Sequence, residues 1–135
     1  RITLDSQPAL LALIPKQSLK MCIDHLLENA IRFARPDIAP EVRVSCQSDQ
    51  SNIRIEVSDN GTGINLEKNR DKLFQMFTRL NADASGSGIG LYIVKRTMDL
   101  VGGSVEVESK PGLGTTFRMI IPRPNSSTTV TSATA

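Results

Sequence analysis

Glycine recurs in three clusters along the chain, and closely spaced glycines let backbone N–H groups approach a ligand. The clusters are Asp59-x-Gly61-x-Gly63, Gly86-x-Gly88-x-Gly90 and Gly112-x-Gly114. Taken singly each is weak, since glycine-rich turns are often just turns and the third is an ordinary hairpin loop by itself. Gly86 to Gly90 leads into Leu91 and would leave unhindered N–H groups at a helix N-terminus, where donors and dipole together attract phosphate. In this order, the clusters predict a phosphate-binding site.

Two common phosphate-binding motifs are excluded by the same residues. The sequence has no GxxxxGK[ST] loop, and Gly86 follows a polar segment, whereas a dinucleotide fingerprint needs an apolar strand before its glycines. The sequence therefore argues against a P-loop and against a Rossmann fold.

A second candidate site lies on the first predicted helix. At about 100° per residue, His25, Asn29 and Arg32 share one stripe, with Glu28 at its edge, beside the apolar stripe. An amide oxygen and a carboxylate suit Mg²⁺, which usually takes one or two protein ligands beside substrate phosphates. The alternative is a solvated face of an amphipathic helix, which this helix taken alone favours. The glycine clusters shift the balance towards a site.

Composition narrows the function classes. The 135 residues are 39% hydrophobic, which suits one domain with a two-layer core. A formal charge of +2 with four Phe, one Tyr and no Trp argues against binding to nucleic acid or to an acidic membrane. No apolar run approaches the roughly 20 residues that span a bilayer. The first residues lack a start methionine and a signal-peptide pattern, so we expect an excised cytosolic fragment. Cys22 and Cys46 occupy apolar positions without CxxC spacing, which favours core packing.

Hydrophobic periodicity predicts two long helices. One runs from Leu19 and ends at Pro36, and the other runs from Ile89 to Val101, where Gly102-Gly103 stops it. Leu73 to Leu80 can form a shorter helix, and the small, polar segment that follows it, Asn81 to Ser87, is expected to be poorly ordered.

Alternating apolar and polar residues predict two hairpins. Their strands are Glu41 to Ser48, Asn52 to Ser58, Ser104 to Ser109 and Thr115 to Ile121. Charged residues at the alternate positions, which suit a solvated sheet face, are Arg43, Arg54, Glu56, Glu106, Glu108 and Arg118. Ile2 to Leu4 is a further short strand, and Gln7 to Ile14 is either an edge strand or an irregular connection.

These elements predict an α+β fold, a two-layer α/β sandwich in which helices cover one face of a mixed, mainly antiparallel sheet. The predicted domain comprises residues 1–124. The Ser/Thr-rich residues 125–135 are expected to form a disordered tail.

The motifs resemble those of the catalytic ATP-binding domain of sensor histidine kinases, over roughly residues 15–122. In chain order the N, G1, F, G2 and G3 boxes of that family match His25 to Phe33, Asp59 to Ile64, Leu73 to Leu80, Gly86 to Leu91, and Gly112 to Thr115. The family's fold, called Bergerat, also serves gyrase B subunits, mismatch-repair ATPases and heat-shock chaperones. Leu73-Phe74-x-x-Phe77-x-Arg79-Leu80 is the segment that indicates histidine kinases within that superfamily.

The resemblance implies a role for each matching residue. Asn29 would ligate Mg²⁺ on the triphosphate, Arg32 would reach the phosphates, and Phe33 would lie beside the adenine. Asp59 would accept the exocyclic amine of adenine, where the O6 of guanine would set acceptor against acceptor. The remaining implied nucleotide-binding residues are Gly61, Gly63 and Ile64 beside the base, Gly86, Ser87, Gly88, Ile89, Gly90 and Leu91 beside the phosphates, Thr115 in a base-side water network, and Arg79 on a lid of about residues 66–87.

His25 is a departure from the family, whose N box begins with Asn at this position. Mg²⁺ prefers oxygen ligands, so we expect metal binding either to be weakened or to rest on Asn29 and water. For His25 three roles stay open: a hydrogen-bonding residue behind the ligands, which we favour, a direct ligand, or a bystander. Glu28, which we group with Asn29 and Arg32 as catalytic, either orients a water or ligand or is merely solvated.

The resemblance implies a protein histidine kinase that uses ATP and Mg²⁺ to phosphorylate a histidine on a dimerisation helix absent from this sequence. The implied partners are that helix, in a homodimer of the full-length protein, and the receiver domain of a response regulator. The implied location is the cytoplasm, with a parent protein that could be anchored in the inner membrane. Two alternatives are a catalytically silent nucleotide-sensing module and a free-standing ATPase of the gyrase or chaperone type.

Overall fold

The computed structural model describes residues 2–5, 14–70, 72–75 and 89–123. In chain order the elements are β1 (Ile2–Asp5), α1 (Lys16–Arg32), β2 (Val42–Ser48), β3 (Asn52–Asp59), α2 (Leu66–Asn69), α3 (Gly90–Leu100), β4 (Ser104–Lys110) and β5 (Gly114–Pro122). The two long helices, the two hairpins and the short first strand are thus confirmed. Their bounds lie within a few residues of the predicted ones.

Helix α1 packs its apolar stripe on the sheet. Leu19, Cys22, Leu26 and Ala30 are buried at the predicted helical spacing. The helix begins after Pro15 and ends at Arg32, with Phe33 as its C-cap.

The strands form one five-stranded sheet in the order β1-β2-β3-β5-β4. β1 pairs with β2 in parallel, and the other three pairs are antiparallel. The sheet is mixed and mainly antiparallel, as predicted. Because β3 pairs with β5, Asp59 lies opposite Thr115 although the two are far apart in sequence.

The helices cover one face of this sheet. Side chains that point to the helices are buried in all three inner strands, and they are Val42, Val44, Cys46, Ile53, Ile55, Val57, Phe117, Met119 and Ile121. On the opposite face Arg118 contacts Glu56, Glu106 and Glu108 from the two neighbouring strands. These partly exposed ion pairs contribute little stability, so the apolar face is what holds the layers together.

Helix α3 packs antiparallel to α1. Gly90, at the start of α3, lies against His25, and Thr97 further along lies beside the thiol of the earlier residue Cys22. Val94, Thr97 and Met98 bury the inner side of α3. Both cysteines are buried and free, which confirms their packing role. No helix among the described residues is long and apolar enough to cross a membrane.

Two parts of the predicted element list need correction. Leu66–Asn69 forms a one-turn helix that we did not predict, begun by Asn65, whose side chain accepts a hydrogen bond from the N–H of Lys68. The predicted helix at Leu73 is wrong for residues 73–75, which form a turn and a bend, although Leu73 is buried. Its remainder, the segments 7–13 and 81–87 and the tail 125–135 lie outside the described residues.

Two neighbouring isoleucines on β5 provide a test of which face of the sheet the core covers. Ile121 is 1% exposed on the helix-covered face, whereas Ile120 is half-buried on the other. We expect Ile121→Ala to lower the free energy of unfolding by roughly 2–5 kcal/mol, because it leaves a cavity. Ile120→Ala, the matched control, should cost clearly less. Urea denaturation of both variants measures this, and equal losses would contradict the assignment of faces.

Candidate functional site

Asp59 ends strand β3 at the edge of the core, half-buried. Its Oδ1 accepts hydrogen bonds from the N–H of Gly61 at 2.9 Å and of Thr115 at 3.2 Å. Oδ2 has no hydrogen bond to another described residue, and no fully buried polar side-chain atom of the described chain lacks a partner. The described residues thus leave Oδ2 without a partner. One oxygen is fixed by the backbone and the other can receive a ligand.

Burial raises the pKa of the Asp59 carboxyl above its usual range, although the N–H groups of Gly61 and Thr115 oppose the shift. A carboxylate that is desolvated by its surroundings and oriented by backbone donors is a frequent feature of binding sites. The structure thus places a costly charge where the sequence predicts the adenine contact.

The turn after Asp59 contacts two other segments closely. A Cβ at Gly61 would overlap the carbonyl oxygen of Phe33, and one at Gly63 would overlap that of Lys110. Gly63 also has φ of 75°, a conformation that disfavours other residues. Both glycines are therefore required by close approach between backbones, and their predicted place beside the adenine base stays a prediction.

Ser109 links this turn to strand β5. Its Oγ accepts from the N–H of Ile64 at 2.7 Å and donates to the carbonyl of Gly114 at 2.8 Å. Since that uses its only proton, Thr115 Oγ1, 2.8 Å away, must donate to Ser109. Sequence analysis missed Ser109, although the β4–β5 register places it directly opposite Thr115. Thr115 and Ile64 are both buried and fixed by this serine.

A cleft of about 500 Å³ opens beside these residues. Its lining comes from β3, α2, β4 and β5 and comprises Asp59, Leu66, Arg70, Val107, Glu108, Ser109, Lys110, Leu113, Gly114, Thr115 and Thr116. No residue of α1 lines it. The volume suits a small-molecule site. The cleft thus accounts for the Asp59 end of the predicted site but not for the α1 end.

The other end of the predicted site consists of polar residues of α1 and of Phe33, which follows the helix. Asn29 is 7% exposed and its side chain has no hydrogen bond to another described residue. Arg32 and Phe33 are half-buried, and Glu28 is exposed. The Phe33 carbonyl accepts from the N–H of Thr62 at 2.8 Å, which joins the end of α1 to the Asp59 turn. A mostly buried amide without a hydrogen bond to any described residue is a candidate group for binding a ligand.

His25 lies beside the start of α3. A Cβ at Gly90 would lie 3.1 Å from His25 Nδ1, and that Nδ1 is 4.0 Å from Glu28 Oε2. Ile89 is the N-cap of α3 and makes no side-chain capping bond, so the first N–H groups of α3 have no side-chain partner from their own cap. His25 to Phe33 spans about 12 Å of helix. Helix α1 therefore connects a helix N-terminus with the Asp59 turn.

Several predicted residues cannot be placed. Arg79, Gly86, Ser87 and Gly88 lie outside the described residues, so their roles stay predictions. Gly90 and Leu91, by contrast, form the first turn of α3 as expected. No cluster of three His, Cys, Asp or Glu side chains within the described part of the chain could hold a metal. A metal here would have to rest on few protein ligands.

Residues 15–125 match the family described as histidine kinase-, DNA gyrase B- and HSP90-like ATPase. The chain belongs to this family, which confirms the fold and the resemblance drawn from the five motifs.

Individual relatives include a sensor protein and a sensor histidine kinase. Sensor protein SrrB of Staphylococcus aureus is 31% identical over 105 residues, which make up 76% of this chain and 18% of SrrB. The chain thus spans less than a fifth of that relative. The solved structure of a mycobacterial sensor histidine kinase, MprB, has a TM-score of 0.75 at 26% identity and covers 90% of this chain and 82% of that one. The solved structure of full-length ShkA in complex with AMPPNP has a TM-score of 0.73 at 27% identity. The match covers 90% of this chain and 25% of the ShkA chain.

The raised pKa of Asp59 predicts an effect on stability. A carboxyl whose folded pKa exceeds its unfolded pKa stabilises the fold only while protonated, and this stabilisation is lost as pH rises through the folded pKa. At neutral pH the charge is therefore a cost, and we expect Asp59→Asn to raise the free energy of unfolding, with the gain shrinking in acid. Urea denaturation at neutral and acidic pH measures it.

Asp49→Asn is the control, because the pKa of Asp49 is shifted in the opposite direction to that of Asp59. The N–H groups of Asn52 and Ser51 lower the pKa of Asp49, so its stabilisation is present at neutral pH and lost as pH falls. This variant should lose stability at neutral pH. A loss of stability in Asp59→Asn at neutral pH would contradict the burial argument.

The contact between His25 and Gly90 predicts that their substitutions are not additive. Alanine normally favours a helix over glycine by up to about 1 kcal/mol, but here the added methyl group would meet the imidazole. We expect Gly90→Ala to be more favourable in a His25→Ala background than in the native chain, by roughly 0.5 kcal/mol or more. A double-mutant cycle by chemical denaturation measures the coupling, and strict additivity would show that the two residues do not touch.

Proposed function

We propose that this chain is the catalytic ATP-binding domain of a sensor histidine kinase and that it binds ATP and Mg²⁺ between α1, the Asp59 turn and α3. The observation that carries the proposal is the Asp59 carboxylate, half-buried, held through Oδ1 and open at Oδ2 to a cleft. Membership of the family supports it.

The base end of the site suits adenine. Asp59 Oδ2 accepts the exocyclic amine, and guanine is disfavoured because its O6 would face a second acceptor. Thr115 and Ser109 form the polar wall beside Asp59. Gly61, Gly63 and Ile64 form the turn that borders the base, and Phe33 lies at the end of α1 beside that turn.

The phosphate end suits a triphosphate with one Mg²⁺. The Asn29 amide, mostly buried and without a described partner, fits a metal that keeps most of its waters and binds substrate phosphates. When bound, the metal would neutralise phosphate charge. Arg32 contributes a fixed positive charge, and the first N–H groups of α3, at Ile89, Gly90 and Leu91, face the phosphates. Arg79, Gly86, Ser87 and Gly88 are proposed to complete this end, with Glu28 orienting a water.

The chemistry that this arrangement serves is phosphoryl transfer to an imidazole. The bond between the γ-phosphorus and the bridging oxygen breaks, ADP leaves, and a new bond forms between phosphorus and the unprotonated nitrogen of the acceptor imidazole, whose other nitrogen then loses its proton. The protein contributes position and charge neutralisation. We propose that the acceptor lies on a dimerisation helix of the parent protein, that a response regulator receives the phosphoryl group, and that the domain works in the cytoplasm, where ATP is available.

Calorimetric titration with ATP, with and without Mg²⁺, tests the proposal. We expect Mg²⁺ to strengthen binding and Asp59→Asn to weaken it by at least about tenfold, because an amide N–H₂ would face the amine of adenine. Asp99→Asn, an exposed change at the far end of α3, is the matched control and should bind like the native chain.

Each result decides between the proposed function and its rival. Tight ATP binding without any effect of Asp59→Asn would place the base elsewhere. Failure of the native chain to bind ATP at any concentration would favour the catalytically silent module.

A further inference from the structure

Arg35 lies three residues beyond α1 and belongs to none of the motifs that define the family resemblance. Its guanidinium is partly buried and makes bonds in two directions. Nε and Nη2 donate to the two oxygens of Asp37, at 3.2 and 2.9 Å. Nη1 donates to the carbonyl oxygen of Gly112 at 2.9 Å. The paired bonds to Asp37 fix the plane of the guanidinium, so Nη1 is held towards the β4–β5 turn.

This bond closes a ring of hydrogen bonds through three segments. The N–H of Thr62 donates to the Phe33 carbonyl at 2.8 Å, and the N–H of Gly112 donates to the Thr62 carbonyl at 2.6 Å. Arg35 then donates to Gly112, and only Ala34 separates it from Phe33. The ring joins the end of α1, the Asp59 turn and the β4–β5 turn, which are distant in sequence.

The two backbone donors that orient Asp59 lie close in sequence to members of the ring. Gly61, one donor, directly precedes Thr62, and Thr115, the other, lies three residues after Gly112. If the β4–β5 turn moves relative to the Asp59 turn, these donors move relative to each other and the carboxylate loses its fixed direction. Two of the hydrogen bonds in the ring join backbone groups, and the third is donated by the side chain of Arg35.

We propose that Arg35 is a positioning residue for base recognition, acting through the β4–β5 turn on the Asp59 carboxylate without touching the nucleotide. The inference rests on the proposed ATP site. It predicts that loss of Arg35 weakens adenine recognition, whereas loss of Arg32 at the phosphate end weakens any nucleoside triphosphate.

Competition binding of ATP and GTP against a fluorescent ATP analogue, on the whole chain, tests this. We expect Arg35→Ala to weaken ATP roughly five- to tenfold and GTP much less, so that the ratio of their affinities falls. Arg35→Lys keeps the charge but cannot hold Asp37 and Gly112 as a fork, and should be intermediate. Arg32→Ala should weaken both nucleotides with the ratio preserved.

Arg123→Ala is the matched control, because Arg123 Nη1 also donates to a backbone carbonyl, that of Asp49, at the opposite end of the sheet. It should bind both nucleotides like the native chain. Thermal melts without ligand establish that each variant is folded at the assay temperature. Native-like ATP binding by Arg35→Ala, or an equal loss for ATP and GTP, would overturn the inference. If the native chain itself bound no ATP, the proposed function would fail instead.

Discussion

A single carboxylate, that of Asp59, sets the arrangement of the surrounding backbone. Two N–H groups from different segments converge on one of its oxygens, so the Asp59 turn and the start of β5 must lie at a fixed separation. The close approaches at Gly61 and Gly63 follow from this, because the turn has no room for side chains between α1 and the β4–β5 turn. Burial raises the pKa of the carboxyl, so the fold keeps a charge that burial disfavours. Such a cost is expected where a fold serves binding rather than stability.

Helix α1 connects the Asp59 turn with α3. Its apolar stripe anchors it on the sheet through Leu26 and Cys22. Phe33 meets the Asp59 turn at one end, and His25 meets α3 about two turns earlier. A regular helix fixes the distance between these contacts, so the two ends of the proposed nucleotide site are spaced by one rigid element.

The strands and long helices could be predicted because their apolar residues recur at a single period. Val42 to Cys46 and Ile53 to Val57 alternate with polar residues, and the structure buries that face. Periodicity does not say which strands pair, so only the family resemblance put Asp59 and Thr115 in one predicted site, and their hydrogen bond was not predicted. Helix α2 was missed because one turn gives no period, and its cap at Asn65 is a weak signal. Ser109 and Arg35 were missed because their roles depend on partners from distant segments, Ile64 and Gly112.

The base end and the phosphate end of the proposed nucleotide site rest on different physical interactions in this fold. The base end is held by hydrogen bonds between turns, in which one residue, Arg35, supplies a side-chain donor from outside the motifs. The phosphate end depends on how α3 packs against α1 through apolar contacts. Burial raises the pKa of the Cys22 thiol, which keeps it protonated and suited to packing. A change at the α1–α3 contact can therefore shift the start of α3 while the Asp59 carboxylate keeps its direction, so affinity for phosphate and selectivity for the base can vary independently.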